Sequence, residues 1–164
     1  MNILLDAMGG DNAPDANIKG AVNTINQIKA EVTLIGKEEV IRSRIKELFG
    51  KEMEEISPRL KIKNATETIE MEDQPTVAIK HKKDSSMVVG FKMLKEGEGD
   101  VFISAGNSGA LLAGATLLVG RIKGIDRPAI APMLPAYKKS FMLMDAGANT
   151  NCKPLNLVQF AQMA

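Results

Sequence analysis

Three short stretches of this 164-residue chain consist almost wholly of glycine, alanine, serine, aspartate and asparagine: DAMGGDNAP at 6–14, SAGNSG at 104–109 and DAGANTN at 145–151. Each follows an apolar run and leads toward a helical pattern. Glycine lets a ligand approach the main chain, and a helix start offers unpaired N–H groups with partial positive charge. Ser104, Asn107 and Ser108 add neutral donors. These residue types suit an anion or a developing oxyanion. The plainer alternative is that they are only the tight strand-to-helix turns that an α/β fold needs. Three alike favour a site, because ligands of open parallel sheets bind beyond the carboxyl ends of the strands.

Other chemistries lack their residues. No G-x-x-x-x-G-K-[ST] occurs, and the first strand does not lead into G-x-G-x-x-G, so neither nucleotide site is supported. His81 is the only histidine and Cys152 the only cysteine, which leaves no metal-ligand set and no Ser-His-Asp order. His81, within KHKKDSS, reads as an exposed helix residue. Basic residues cluster at 80–83 and at Arg121, Lys123 and Arg127. A solvated face is the ordinary reading of such runs, although Lys82 and Lys83 precede a helix start where a phosphate-bearing partner could be held. Met133, Met142 and Met144 read as core packing rather than an adaptable apolar surface.

A net charge of +1 and 4% aromatic residues argue against nucleic acid as a partner. One cysteine cannot form an internal disulfide, so a reducing cytoplasm is expected. The N-terminal MNILLDAMGG has neither the basic leader nor the apolar stretch of a signal peptide. The longest apolar run, residues 110–120, falls short of the about 20 that a membrane span needs. The expectation is one soluble domain over 1–164, peripheral to the membrane if it meets one at all.

These loops need elements to hold them. Strands are expected at 2–5, 31–36, 59–65 and 100–106. Between them, Ile18, Ala21, Val22, Ile25 and Ile28 recur at helical spacing, as do Val40, Ile41, Ile45, Leu48 and Phe49 up to Gly50. Residues 66–75 are acidic and irregular. Asp84 or Ser85 can cap a helix carrying Met87, Val88, Phe91 and Leu94 that stops at Gly97. Leu111, Leu112, Ala115, Leu118 and Val119 mark a further helix. Two more strands, about 128–134 and 140–145, precede a helix from Pro154 whose pattern (Leu157, Phe160, Ala161) still runs at the last residue, as in a truncated chain. Strands alternating with helices imply an α/β fold with a mostly parallel sheet between two helix layers.

Taken together, LLDAMGGDNAP, KKDSSM at 82–87, ISAGNSGAL at 103–111, GRIKGIDRPAIAP at 120–132 and DAGANTNCKPLNLVQFAQM at 145–163 resemble the PlsX family, the bacterial phosphate acyltransferases of phospholipid synthesis. The resemblance covers essentially the whole chain. It implies a three-layer α/β/α fold like that of phosphotransacetylase and the isocitrate/isopropylmalate dehydrogenases. It also implies transfer of a fatty acyl group from acyl carrier protein to inorganic phosphate, giving an acyl phosphate that feeds a membrane glycerol-phosphate acyltransferase. A homodimer with no metal and no organic cofactor is implied as well.

Within the polar loops, Asn107, Ser108 and Asp6 are expected to be catalytic. Gly9, Gly10, Asp11, Lys82, Ser104, Gly106, Gly109, Asp145, Gly147 and Asn149 are expected to bind substrate. The chain departs from the family at Lys80 and His81, where arginines are common, and at Ala164, where glycine is usual. Family members are about twice as long, so the present residues correspond to an N-terminal half that is expected to need the rest for turnover. A non-catalytic half that binds acyl carrier protein or a partner half is the competing expectation. A dehydrogenase of the related fold is disfavoured by the absent dinucleotide loop.

Overall fold

The computed structural model describes all 164 residues, which form two compact units, Met1–Val119 and Gly120–Ala164. The first holds a four-stranded sheet of β1 (Asn2–Asp6), β2 (Glu31–Gly36), β3 (Leu60–Asn64) and β4 (Val101–Ile103), in the order β3-β2-β1-β4 and parallel throughout. β2 is buried on both faces beyond its first residue, which is why EVTLIG reads as an apolar run rather than an alternation.

One face of the sheet, through Ile3, Val32, Leu34 and Leu60, packs on Ile18, Val22 and Ile25 of α1 (Asp15–Gln27) and Ile41 and Ile45 of α2 (Glu38–Phe49). The other face, through Leu4 and Ile35, packs on Val89 and Met93 of α5 (Ser86–Glu96). This is the helix–sheet–helix sandwich expected from the alternating pattern. α2 and α5 end on Gly50 and Gly97 at φ 64° and 77°, left-handed caps that glycine adopts without a Cβ penalty. Of the two candidate caps for α5, Ser85 is the one used, its Oγ accepting from the Val88 amide at 3.3 Å.

Two short helices escaped the sequence reading, α3 (Met53–Ile56) and α4 (Pro75–His81). Four and seven residues are too few to show a helical period. His81, the last residue of α4, is exposed as expected. Ile28 caps α1 and is exposed rather than part of its buried stripe.

α6 (Ser108–Gly114) follows β4 and continues as one π turn over Ala115–Val119. Its buried line is Ala110 and Gly114, four residues apart, not the leucines that the apolar count favoured. Phe91 explains this: a Cβ on Gly114 would sit 2.2 Å from the Phe91 ring. The leucines at 111 and 118 are only partly buried against that cluster.

In the second unit, β5 (Met133–Pro135) and β6 (Ser140–Met142) form an antiparallel hairpin in place of two long strands. Pro128 and Pro132 lack the N–H that an earlier start would need. Met133 and Met142 are exposed there, contrary to the core packing expected of them. α7 (Pro154–Met163) begins at the expected proline but turns a different face inward. Phe160 is buried, while Leu157 is exposed, and the buried polar residues are Asn156 and Gln159. Both are satisfied: Asn156 Oδ1 accepts from the Lys153 amide at 2.9 Å. Gln159 bridges the Asp126 amide (3.1 Å) and the Gly124 carbonyl (2.9 Å). No helix is long and apolar enough to cross a membrane.

Candidate functional site

β1 and β4 are neighbours in the sheet, so the loops that leave their carboxyl ends lie side by side. A chain of hydrogen bonds joins them. The Asp6 carboxylate, buried at the end of β1, accepts from the Met8 amide (3.0 Å) through one oxygen and from the Ser104 hydroxyl (2.7 Å) through the other. Ser104 Oγ in turn accepts from the Gly106 amide at 3.1 Å. The loops press so closely that a Cβ on Gly9 would lie 2.6 Å from an Asp6 oxygen and 2.9 Å from the Gly106 nitrogen. Gly10, at φ 105°, rests on Ala105.

The bareness of the turn therefore has an internal cause as well as an external one. Gly9 and Gly106 are small because the two loops touch. Gly109 is small because Pro75 stands against it, 2.7 Å from where a Cβ would be. What the packing leaves open is the main chain: the amides of Gly10, Asp11, Ser108 and Gly109 find no acceptor within the chain. Ser108 and Asp11 are exposed.

Two carboxamides fix these loops. Asn107, buried at the N-cap of α6, accepts from the Ala110 amide at 2.9 Å. Its Nδ2 donates to the carbonyls of Glu70 (3.3 Å), Met71 (3.1 Å) and Asp73 (3.1 Å). Both ends of the Asn107 side chain are thus engaged inside the protein. Lys82 is engaged too, donating to the Thr68 carbonyl at 2.8 Å and paired with Asp73. The Lys82 ammonium, and after it the Glu70 amide, hold the Asp73 carboxyl below its ordinary value. Lys82 and Asn107 together bolt the acidic segment 66–75 beside the bare turn.

The second carboxamide is Asn17, on the first turn of α1, which sequence reading missed. Its Nδ2 donates to Asp6 O (3.2 Å), Ala7 O (3.1 Å) and Gly9 O (2.9 Å). The only signal was an asparagine inside a helix, where its competing side-chain bonds make it a poor helix former.

Asp145, Gly147 and Asn149 lie together in the second unit. Asp145 accepts from the amides of Ile130 (2.9 Å), Ala148 (3.2 Å) and Asn149 (2.7 Å) and from Asn149 Nδ2 (3.0 Å). Burial pushes its carboxyl upward, and these donors outweigh that, holding it below the ordinary value of 3.8. Asn149 Nδ2 also reaches the Pro128 carbonyl at 2.9 Å, and Gly147 turns at φ 99°.

A cavity of 860 Å³ lies at the other rim of the sheet, among Met1, Asn2, Ile28 and Arg59. Its guanidinium is spent on the carbonyls of Ile25 (2.6 Å) and Ile28 (2.8 Å) that end α1. A second, of 610 Å³, opens by Lys37, Glu38, Glu39 and Arg42, with Arg42 already paired to Glu38 and Glu54. Volume and chemistry part company here, and chemistry points to the paired loops.

Residues 1–164, the entire chain, match the family described as "Fatty acid synthesis protein". The chain belongs to that family. It is 52% identical over 164 residues to the phosphate acyltransferase of Acetivibrio thermocellus, an alignment covering 99% of this chain and 47% of that protein. The phosphate acyltransferases of Thermoanaerobacter pseudethanolicus and Clostridioides difficile are 51% and 48% identical, over 99% and 100% of this chain and 47% of each relative. The chain spans about half the length of the curated relatives it matches.

Proposed function

We propose that this family member supplies one half of an acyltransferase site that moves a fatty acyl group from acyl carrier protein to inorganic phosphate. A phosphate oxygen attacks the thioester carbonyl carbon, the tetrahedral oxyanion collapses, and the C–S bond breaks. The products are acyl phosphate and the carrier thiol, which takes up the proton that phosphate gives. Phosphate is already nucleophilic at neutral pH, so no serine or cysteine needs to be acylated. The site's task is to hold two reactants together, worth about 7–11 kcal/mol, and to stabilise negative oxygen, about 2.7–4 kcal/mol per oriented donor.

The observation that carries this reading is the set of free amides at Gly10, Asp11, Ser108 and Gly109, on loops tied by Asp6, Ser104 and Gly106. Ser108, with its exposed hydroxyl and free N–H, is the group assigned to touch substrate. Asp6 and Asn107 act as positioning residues, since their polar atoms are held within the protein. Lys82 holds the acidic segment through Thr68 and Asp73, and Asp145, Gly147 and Asn149 form a separate local cluster within the second unit. The acyl phosphate would pass to a membrane glycerol-phosphate acyltransferase, and the working protein is a cytoplasmic homodimer. A second reading, a half that binds acyl carrier protein or a partner half without chemistry, draws on the 47% coverage of the relatives.

Ser108→Pro in the full-length protein is the direct test. Position 108 opens α6, where proline fits, and Asn107 at φ −56°, ψ 108° already has the extended conformation that precedes proline. The substitution deletes one amide donor. Phosphate-dependent loss of acyl thioester, with hydroxylamine trapping the acyl hydroxamate, should fall by about 10²–10³. Ser108→Ala, which keeps the N–H, should retain most of it. A proline variant as fast as the parent overturns the cradle, and a full-length parent that binds the carrier without turnover favours the second reading.

A further inference from the structure

Asn17 stands half-buried in the first turn of α1, and its Nδ2 serves the loop that leaves β1. That nitrogen has two hydrogens for three carbonyls, those of Asp6, Ala7 and Gly9, and the contact to Gly9 is the shortest at 2.9 Å. The peptide bonds following these carbonyls are trans, since the cis bonds of the chain are Ala13–Pro14 and Met144–Asp145. In a trans peptide the C=O and the N–H point to opposite sides. Drawing the three carbonyls toward α1 therefore turns the next three amides away from it. Two of those amides are used inside the protein: Ala7 donates to the Ile35 carbonyl at 2.9 Å and Met8 to the Asp6 carboxylate at 3.0 Å. The third, on Gly10, finds no acceptor in the chain, and Gly10 rests on Ala105 of the facing loop.

We infer that Asn17 is a positioning residue of the cradle: by holding the Gly9 carbonyl it aims the Gly10 N–H at the negative oxygen of the substrate. The Gly9–Gly10 peptide needs such a hold, because neither flanking residue has a Cβ to resist rotation. Turned over, it would offer a carbonyl oxygen where an anion needs a donor. The bond from Asn17 removes that choice. Asn107 marks the contrast. Its Nδ2 also takes three carbonyls, but they belong to Glu70, Met71 and Asp73, in a segment without glycine, so it anchors a loop rather than directing a donor. The inference rests on the reading of these loops as an anion cradle, and it names the side chain that sets the direction of one donor.

Isotopic labelling of the glycine nitrogens in the full-length protein tests it by NMR, with inorganic phosphate as the probe. Titration should move the Gly10 and Gly109 amide resonances of the parent. Asn17→Asp keeps the shape of the side chain and suits the first turn of a helix, but its carboxylate has no hydrogen to donate. Asn17→Ala removes the donor without adding charge. In both variants the Gly10 response should vanish while that of Gly109, on the other loop, persists. Phosphate-dependent turnover should fall by about 10²-fold, the cost of one lost donor. A Gly10 amide that still responds in both variants overturns the inference, because the peptide then keeps its direction without Asn17. Loss of both responses with a lowered midpoint of urea unfolding also overturns it, since Asn17 would then only support the fold. So does a parent in which Gly109 alone responds. A parent in which neither glycine responds overturns the cradle reading itself, and the inference falls with it.

Discussion

Asp6 and Asp145 each open a loop that begins Asp-Ala and carries glycine, DAMGGD and DAGANT, yet the folded chain uses them in opposite ways. Asp6 spends one carboxylate oxygen on a residue 98 positions away, Ser104, and so welds two loops into one surface. Asp145 spends its oxygens on Ala148 and Asn149, three and four residues on, and on Ile130. Their glycines differ accordingly. Gly9 is glycine because another loop fills the space a Cβ would take. Gly147 has nothing within 4 Å and is glycine because its φ is 99°. A glycine-rich loop can be bare for contact or for curvature, and only contact builds a two-loop site.

The sharpest way to break this contrast is to add one methyl to each glycine. Gly9→Ala forces Cβ into an Asp6 oxygen and the Gly106 backbone, neither of which can swing aside. Overpacking of this kind costs about 1–3 kcal/mol. Separating the loops should also abolish phosphate-dependent turnover in the full-length protein. Gly147→Ala meets no atom and carries only the left-handed backbone penalty, about 1 kcal/mol. Urea unfolding of the two variants would rank them, and equal losses would erase the distinction.

A smaller effect separates the two jobs of Asn107. Asn107→Ser keeps an oxygen to cap α6 and deletes the Nδ2 that holds the carbonyls of Glu70, Met71 and Asp73. Serine should cost about 1–2 kcal/mol, less than a variant that also loses the cap. It should speed amide exchange around residues 70–73 while leaving α6 protected. Were α6 to fray instead, the cap rather than the clamp would be the role that matters.

How much of this was legible beforehand follows from range. The strands β1 to β3 and the helices α1, α2 and α5 announce themselves through local period and through stops such as Gly50 and Gly97, and the structure has them. The parallel three-layer sandwich follows from their alternation. The loops' residues were legible as types, but their partners were not. Nothing near Asn107 in sequence says that it holds Glu70, nothing near Lys82 says that Asp73 holds it, and Asn17 gave almost no sign. Gly114 shows the same limit: the apolar count favoured leucines, and the position of Phe91 decided for the small residues. In the second unit Asn156 and Gln159 are buried because specific acceptors and donors meet them, which no hydropathy pattern encodes.

The subtlest consequence of the local Asp145 cluster is in its acid response. Burial alone would raise this carboxyl, but the Ile130, Asn149 and Ala148 donors hold it below 3.8. A carboxyl lowered in the folded state adds stability that is fully present above its unfolded pKa and disappears as pH falls through the folded one. The second unit should therefore hold steady down to the ordinary carboxylate range and loosen only below it. Asp145→Asn removes that dependence: its amide oxygen can still accept, but its NH₂ turns a donor toward the Asn149 or Ile130 amide, and it no longer titrates. Asp145→Asn should thus lower stability at neutral pH and narrow its gap to the parent as the pH drops below 3.8. Carboxyl NMR shifts of residue 145, followed with unfolding midpoints of both proteins across that range, would check the sign. A gap that widens on acidification would mean that burial, not the ring of donors, governs this aspartate.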